Sequence, residues 1–288
     1  MATVTVPGVG GSIISYTFNT PDNTALAQAI ASALITASVG GTLNVQAYNG
    51  GLTPPTVSGD TNQLVVAPTS AGGIVFTPAG YTFVADSTAG GAFTVAGARN
   101  FIGGSGSLTI FNAVAGPVED AVIGSVDSVV AGDGNDLFGL IPGSTYDAAG
   151  GNGNDTFNAN GSGTVSSGAG NNLIFVGGAA GDNNLVLSHG HDTVALGAGT
   201  ATVATYGNAP LIFGGPGGME VFSNGSVNET VVGSSGPETI FSATSGVYFL
   251  GTSTSEYIGN TSTSSTIVGT TGQETMFGGG HSHEVVFN

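Results

Sequence analysis

The chain of 288 residues has no cysteine and no tryptophan, and a single base, Arg99, stands against 18 acidic side chains. Without cysteine there can be no disulfide, no thiolate metal site and no thiol nucleophile, although this choice fits a reducing cytoplasm and an exported protein equally. Without lysine there is nothing to neutralise phosphates, so nucleic-acid binding is excluded. A net charge of −17 makes the surface repel itself unless positive charge comes from outside the chain, and divalent cations are the expected source. No base precedes Arg99, so a cleaved secretory signal with a positive leading region is not expected. Long apolar runs are missing too: the best stretch, 25–37, is broken by Gln28, Ser32 and Thr36 and falls short of the ~20 residues a span needs, so no transmembrane segment is expected.

What the chain does have is glycine, 52 residues of 288, together with a hydrophobic fraction of 40% and a mean hydropathy of +0.30. Those values belong to a chain that folds, because a disordered acidic chain would be poor in the Val, Ile, Leu and Phe seen here. The first residues alternate, with Thr3, Thr5 and then 12–18. Thr20-Pro21-Asp22 is a helix start, and Leu26, Ile30 and Leu34 fall on one face of a single amphipathic helix over 25–37. Short β-rich runs follow at 43–47, 64–66, 73–77, 81–84, 92–95 and 107–111, separated by Gly, Pro, Ser and Asp. The expectation is an all-β chain with an N-terminal β-rich region, 1–117, carrying that one helix as a cap or assembly domain.

From about residue 118 the texture is periodic. Cut into nines from Gly215, seven units run without insertion, and their eighth place is apolar throughout: Phe222, Val231, Ile240, Phe249, Ile258, Ile267 and Met276. Each unit reads as a turn followed by a short strand that sends its eighth residue inward and its seventh and ninth outward. Glu220, Glu238, Glu256 and Glu274 recur at the sixth place every 18 residues, which implies two strands per coil and a solvated ladder of glutamates along one edge. The expected fold of 118–288 is therefore a flattened, right-handed parallel β-roll or β-solenoid, with coils ~4.8 Å apart.

Upstream, two nonamers carry chemistry: GGNGNDTFN at 150–158 and AGDGNDLFG at 131–139. Both resemble the glycine- and aspartate-rich nonapeptide of the repeats-in-toxin (RTX) family. Glycines there permit left-handed turns that aim backbone carbonyls at an ion, and the aspartate supplies charge, a donor set of hard oxygens suited to Ca²⁺. The resemblance implies calcium on Gly132, Asp133, Gly134, Asn135 and Asp136 in one loop and on Gly151, Asn152, Gly153, Asn154 and Asp155 in the next. Asp136 and Asp155 are 19 residues apart, about one coil, and Asn172 extends the same edge 17 residues on. Gly190 to Val194, around Asp192, is a looser copy.

The pairs His189/His191 and His281/His283 lack a third ligand and read as unliganded turn histidines, and Arg99 reads as the partner of one nearby carboxylate. Enzyme signatures are missing as well, with no HExxH, no GxSxG and no phosphate loop, so the chain reads as non-catalytic. The RTX resemblance implies type I secretion from a Gram-negative cell with an uncleaved C-terminal signal, and folding outside on calcium. The function it points to is an extracellular structural protein that assembles with itself into a surface filament, a biofilm matrix fibre or a surface layer. The terminal apolar strand, 285–287, is the expected head-to-tail edge. The alternative is a secreted binding module or adhesin for a cell-surface glycan or ice, for which threonine ranks such as Thr230/Thr239 and Thr266/Thr275 would form a flat face interrupted by Tyr248 and Tyr257.

Overall fold

The computed structural model describes residues 2–18, 21–48, 61–66, 74–77, 83–86, 91–95, 100–102, 108–112, 126–130, 135–225, 228–259, 264–278 and 285–287. It is mostly β with a single helix near the N-terminus. Contacts divide it into two units, Met1–Asp155 and Thr156–Asn288.

In the first unit, strands β1 (Ala2–Pro7) and β2 (Ile13–Phe18) pair antiparallel, and their alternation buries Val4, Val6 and Tyr16. Helix α1 (Pro21–Val39) starts at the proline the sequence marks. It stops where Gly41 turns left-handed at φ 71°, with the amides of Gly40 and Thr42 donating back to Thr36 and Ala37. Its buried stripe is Ala27, Ile30, Ala31 and Leu34, spacings of three and four that use alanines for close approach; the side chain of Leu26 lies outside the described residues. This stripe packs with Val4, Val6 and Tyr16 against Phe83, Ile102 and Val130, and Gln63 Nε2 donates to Pro7 O at 2.9 Å. The expected helix is thus a cover over β strands.

The described residues of all six predicted short runs lie in strands; Leu43–Tyr48 pairs parallel with Thr61–Val66, and from there the strands form two alternating parallel ladders. One runs Thr61–Val66, Phe83–Asp86, Asn100–Ile102, Val126–Val130 and the end of Leu137–Ala149; the other runs Ile74–Thr77, Gly91–Val95, Leu108–Asn112 and the start of Leu137–Ala149. Asn100 faces Ser128 and Thr109 faces Leu137, so two strands per coil already hold on the N-terminal side of residue 118.

The second unit is a parallel β-solenoid of the same plan. Its first ladder stacks the end of Thr156–Gly168, then Asn183–Ser188, Thr200–Thr205, Met219–Ser223, Glu238–Ser242, Thr254–Gly259 and Gln273–Phe277. Its second stacks the start of Thr156–Gly168, then Leu173–Val176, Thr193–Leu196, Leu211–Phe213, Glu229–Val232, Gly246–Phe249, Thr266–Val268 and Val285–Phe287. Two inward stacks fill the coil: Val165, Val186, Val203, Val221, Ile240 and Tyr257 from the first ladder, and Phe157, Ile174, Val194, Ile212, Val231, Tyr248 and Ile267 from the second, all buried.

The nines mislead in one respect. Val221 faces Ile240, Ile240 faces Tyr257 and Tyr257 faces Met276, steps of 19, 17 and 19 residues where the sequence repeat is a constant 18. A coil one residue longer moves the inward place from seven to eight, and one a residue shorter moves it back to seven. Val221, Tyr248 and Tyr257 are therefore the buried residues, and Phe222, Phe249 and Ile258, expected inside, face outward.

Candidate functional site

Three features of the solenoid could carry function: an inner carboxylate corner, the turns around two glutamates, and the outward faces of the ladders. The corner forms because the residue two before an inward apolar side chain also points inward. Asp136 before Phe138 and Asp155 before Phe157 are both buried, and Asp155 Oδ1 accepts the backbone N–H of Asp136 at 2.9 Å across one coil. Asn154 N donates to Asn135 Oδ1 at 2.8 Å, so the Asn-Asp pairs of the two motifs lie one on the other. Gly151 and Gly153 hold φ of 114° and 154°, which ties the turn to glycine. Gly132, Asp133 and Gly134 lie outside the described residues, as do Arg99, His281 and His283.

In the second unit the same inward place holds Asn172, Asp192, Glu229 and Ser265, all buried. Opposite them, at the ends of the first-ladder strands, runs a buried hydroxyl row of Ser167, Ser188, Thr205, Ser223 and Ser242. Asp192 is fully engaged between the two. Its Oδ1 accepts from Asn172 N at 3.1 Å and Asn172 Nδ2 at 2.8 Å, and its Oδ2 accepts from Ser167 Oγ at 2.6 Å and Ser188 Oγ at 2.7 Å. Asn172, expected on the calcium edge, is here an amide donor to Asp192. Glu229 is less well held: Ser223 Oγ and Tyr248 O–H donate to Oε2, while Oε1 has no hydrogen-bond partner. Burial pushes the Glu229 carboxyl above the ordinary value of 4.5, against the lowering effect of its hydroxyl neighbours. Burial, with the nearby Glu229 charge, likewise raises the Tyr248 phenol.

The glutamate ladder expected along one edge does not exist. Because coils advance by 19 and 17 residues, Glu220 faces Thr239 and Thr239 faces Glu256, an outward column, whereas Met219 faces Glu238, Glu238 faces Ser255 and Ser255 faces Glu274, an inward one. The four carboxylates alternate between two sides of the strands. Glu238 is buried and accepts from the backbone of Gly251 at 2.9 Å and of Ser234, and Glu274 accepts from the Thr270 amide in the matching turn two coils on. Burial raises the Glu238 carboxyl and these amides oppose the shift. Both glutamates are turn staples.

The outward faces differ in chemistry. On the first ladder one column runs Thr202, Glu220, Thr239, Glu256 and Thr275, and the column beside it runs Ala204, Phe222, Phe241, Ile258 and Phe277. Phe222 and Phe241 stack with centroids 4.8 Å apart, and the shallow groove beside them, about 680 Å³, is lined by Leu187, Tyr206 and Ile258. On the second ladder the outward columns are Leu173, Thr193, Leu211, Thr230, Val247, Thr266 and Phe175, Ala195, Phe213, Val232, Phe249, Val268. Thr230 and Thr239 are therefore on opposite ladders, as are Thr266 and Thr275, and the two tyrosines thought to interrupt a threonine face are inside. His189 stacks on Tyr206 at 5.0 Å while His191 is exposed.

Among the described residues no three His, Asp or Glu side chains cluster as a ready metal site, and no helix is long and apolar enough to cross a membrane. The donor chemistry at Asp136 and Asp155 nonetheless suits a hard divalent cation. Two carboxylates are buried one coil apart, Asp155 beside the turn of Gly151 and Gly153, in a chain with one Arg and no Lys. No protein-family model, curated protein or solved structure matches the chain.

Proposed function

We propose that the protein is an extracellular structural protein whose coils close on calcium and which assembles with copies of itself into a filament, matrix fibre or layer. The observation that carries this reading is the pairing of Asp136 with Asp155 across one coil, two buried carboxylates in glycine-rich sequence motifs of a chain that offers them almost no positive charge. The carboxylates of Asp136 and Asp155, with main-chain carbonyls of the glycine turns, are the groups that would hold the ion. Bound calcium supplies the missing positive charge. The chain's own residues do the rest: Asp155 ties neighbouring coils through the Asp136 amide. This is also what the RTX resemblance implies, and extracellular calcium sites of this class bind in the 10⁻⁴ to 10⁻³ M range, so secretion into a calcium-rich medium would trigger folding.

Support for a structural role comes from the regular β-solenoid, whose outward faces repeat coil after coil. Calorimetric titration of calcium tests the ion site. The double variant Asp136→Asn/Asp155→Asn is expected to lose at least tenfold in affinity, and equal affinity in variant and parent would refute it.

A further inference from the structure

The outward face of the second ladder is unlike the rest of this acidic molecule. From Leu173 to Val268 it presents no ionisable side chain, and its rows alternate. Rows ending in Phe175, Phe213 and Phe249 are large, with those rings 41%, 41% and 40% exposed, and rows ending in Ala195, Val232 and Val268 are small. Ridges thus recur every second coil, about 9.6 Å apart, with a trough midway between each pair.

We propose that this face is a lateral docking surface for a second copy of the same chain, pairing the two solenoids sheet to sheet about a two-fold axis. Displaced by one coil, the phenylalanine ridges of one copy lie on the threonine and alanine or valine troughs of the other, the interdigitation by which two sheets pack about 10 Å apart. A second copy meets the two-coil repeat by construction, whereas another partner would have to reproduce it. Charge points the same way. Copies carrying −17 each repel everywhere acid is displayed, including the opposite ladder with its outward Glu220 and Glu256, and can approach closely through an uncharged face. An isologous pair closes on itself and uses the face fully. Six coils by a short strand give a footprint of roughly 300 Å² per copy, well under half that of a standard interface, so pairing is concentration-dependent and not obligate.

This surface gives the self-association proposed above a location, and it does not depend on where calcium binds. Sedimentation velocity over a wide concentration range, in calcium so that the chain is folded under either reading, tests it. The expected result is a monomer–dimer equilibrium that Phe213→Lys, on a ridge, and Val232→Lys, in a trough, each weaken at least tenfold, while Thr239→Lys on the opposite ladder does not. Circular dichroism establishes that each variant folds. A monomer at every concentration, or a dimer indifferent to Phe213→Lys and Val232→Lys, overturns the proposal, as does binding of the face to neutral lipid vesicles without any dimer. Calcium-triggered folding that persists alongside those outcomes leaves the calcium reading standing, and a dimer that forms in a chain indifferent to calcium refutes that reading alone.

Discussion

At the scale of the residue, the solenoid buries acids in two different ways. Glu229 is inside the coil with one carboxyl oxygen lacking a partner, and burial raises its pKa above 4.5. Below its unfolded value the group is neutral in both states and carries no penalty. As pH rises toward and through the folded value, the unfolded chain releases the proton more readily and stability is lost. Glu229→Gln is therefore expected to stabilise the protein by about 1–2 kcal/mol at pH 7, with the gain vanishing below about pH 4, read as the difference in denaturation midpoint across that range. Asp192 is the opposite case. Its four hydrogen bonds come from two serines and an asparagine, and while Ser167 Oγ keeps carbonyl acceptors, Asp192→Ala removes the acceptor of the buried Ser188 hydroxyl and the Asn172 main-chain amide and should cost about 2–3 kcal/mol in chemical denaturation. The sequence displayed the rule that separates these acids from the others. An acid two places before an apolar inward residue, as in Asp192-Thr193-Val194, Glu229-Thr230-Val231 and Glu238-Thr239-Ile240, goes inside; an acid directly before one, as in Glu220-Val221 and Glu256-Tyr257, stays outside. A fixed count of nine hides that parity, so it puts Glu220, Glu238, Glu256 and Glu274 on one edge although they alternate between two sides.

At the scale of the element, coil spacing is enforced by glycine where the strands of the second ladder turn. A Cβ on Gly197 would overlap the carbonyl oxygen of Gly177 one coil below, and one on Gly215 would overlap that of Gly197. Gly197→Ala must push two backbones apart, and a loss of about 2–4 kcal/mol is expected on heating or in denaturant. The strands were readable because alternation and turn residues coincide, as in all six short runs of the first unit, and the helix because its proline start and glycine stop bracket an apolar stripe. The alternation of 19- and 17-residue coils was not, since single-residue changes in turn length leave the seven nonamers uninterrupted while inverting the side of every residue after them.

At the scale of the whole molecule, composition and fold make one argument. A chain with 18 acids and one base stacks carboxylates inside its coils and leaves one ladder face uncharged. The first is where the proposed calcium would supply positive charge, and the second is where the proposed pairing would bring copies together. The absence of lysine and the repeat were visible in the sequence, and so was the pairing of Asp136 with Asp155. The neutral face was not, because its residues alternate in sequence with buried ones and gather into a surface only when coils stack. The most direct test of the account is a calcium titration into chelator-treated protein, with far-UV circular dichroism and light scattering followed together. The account predicts that β signal and scattering rise together with calcium in the submillimolar to millimolar range; a chain already folded and monomeric in chelator, and unchanged by calcium, would contradict it.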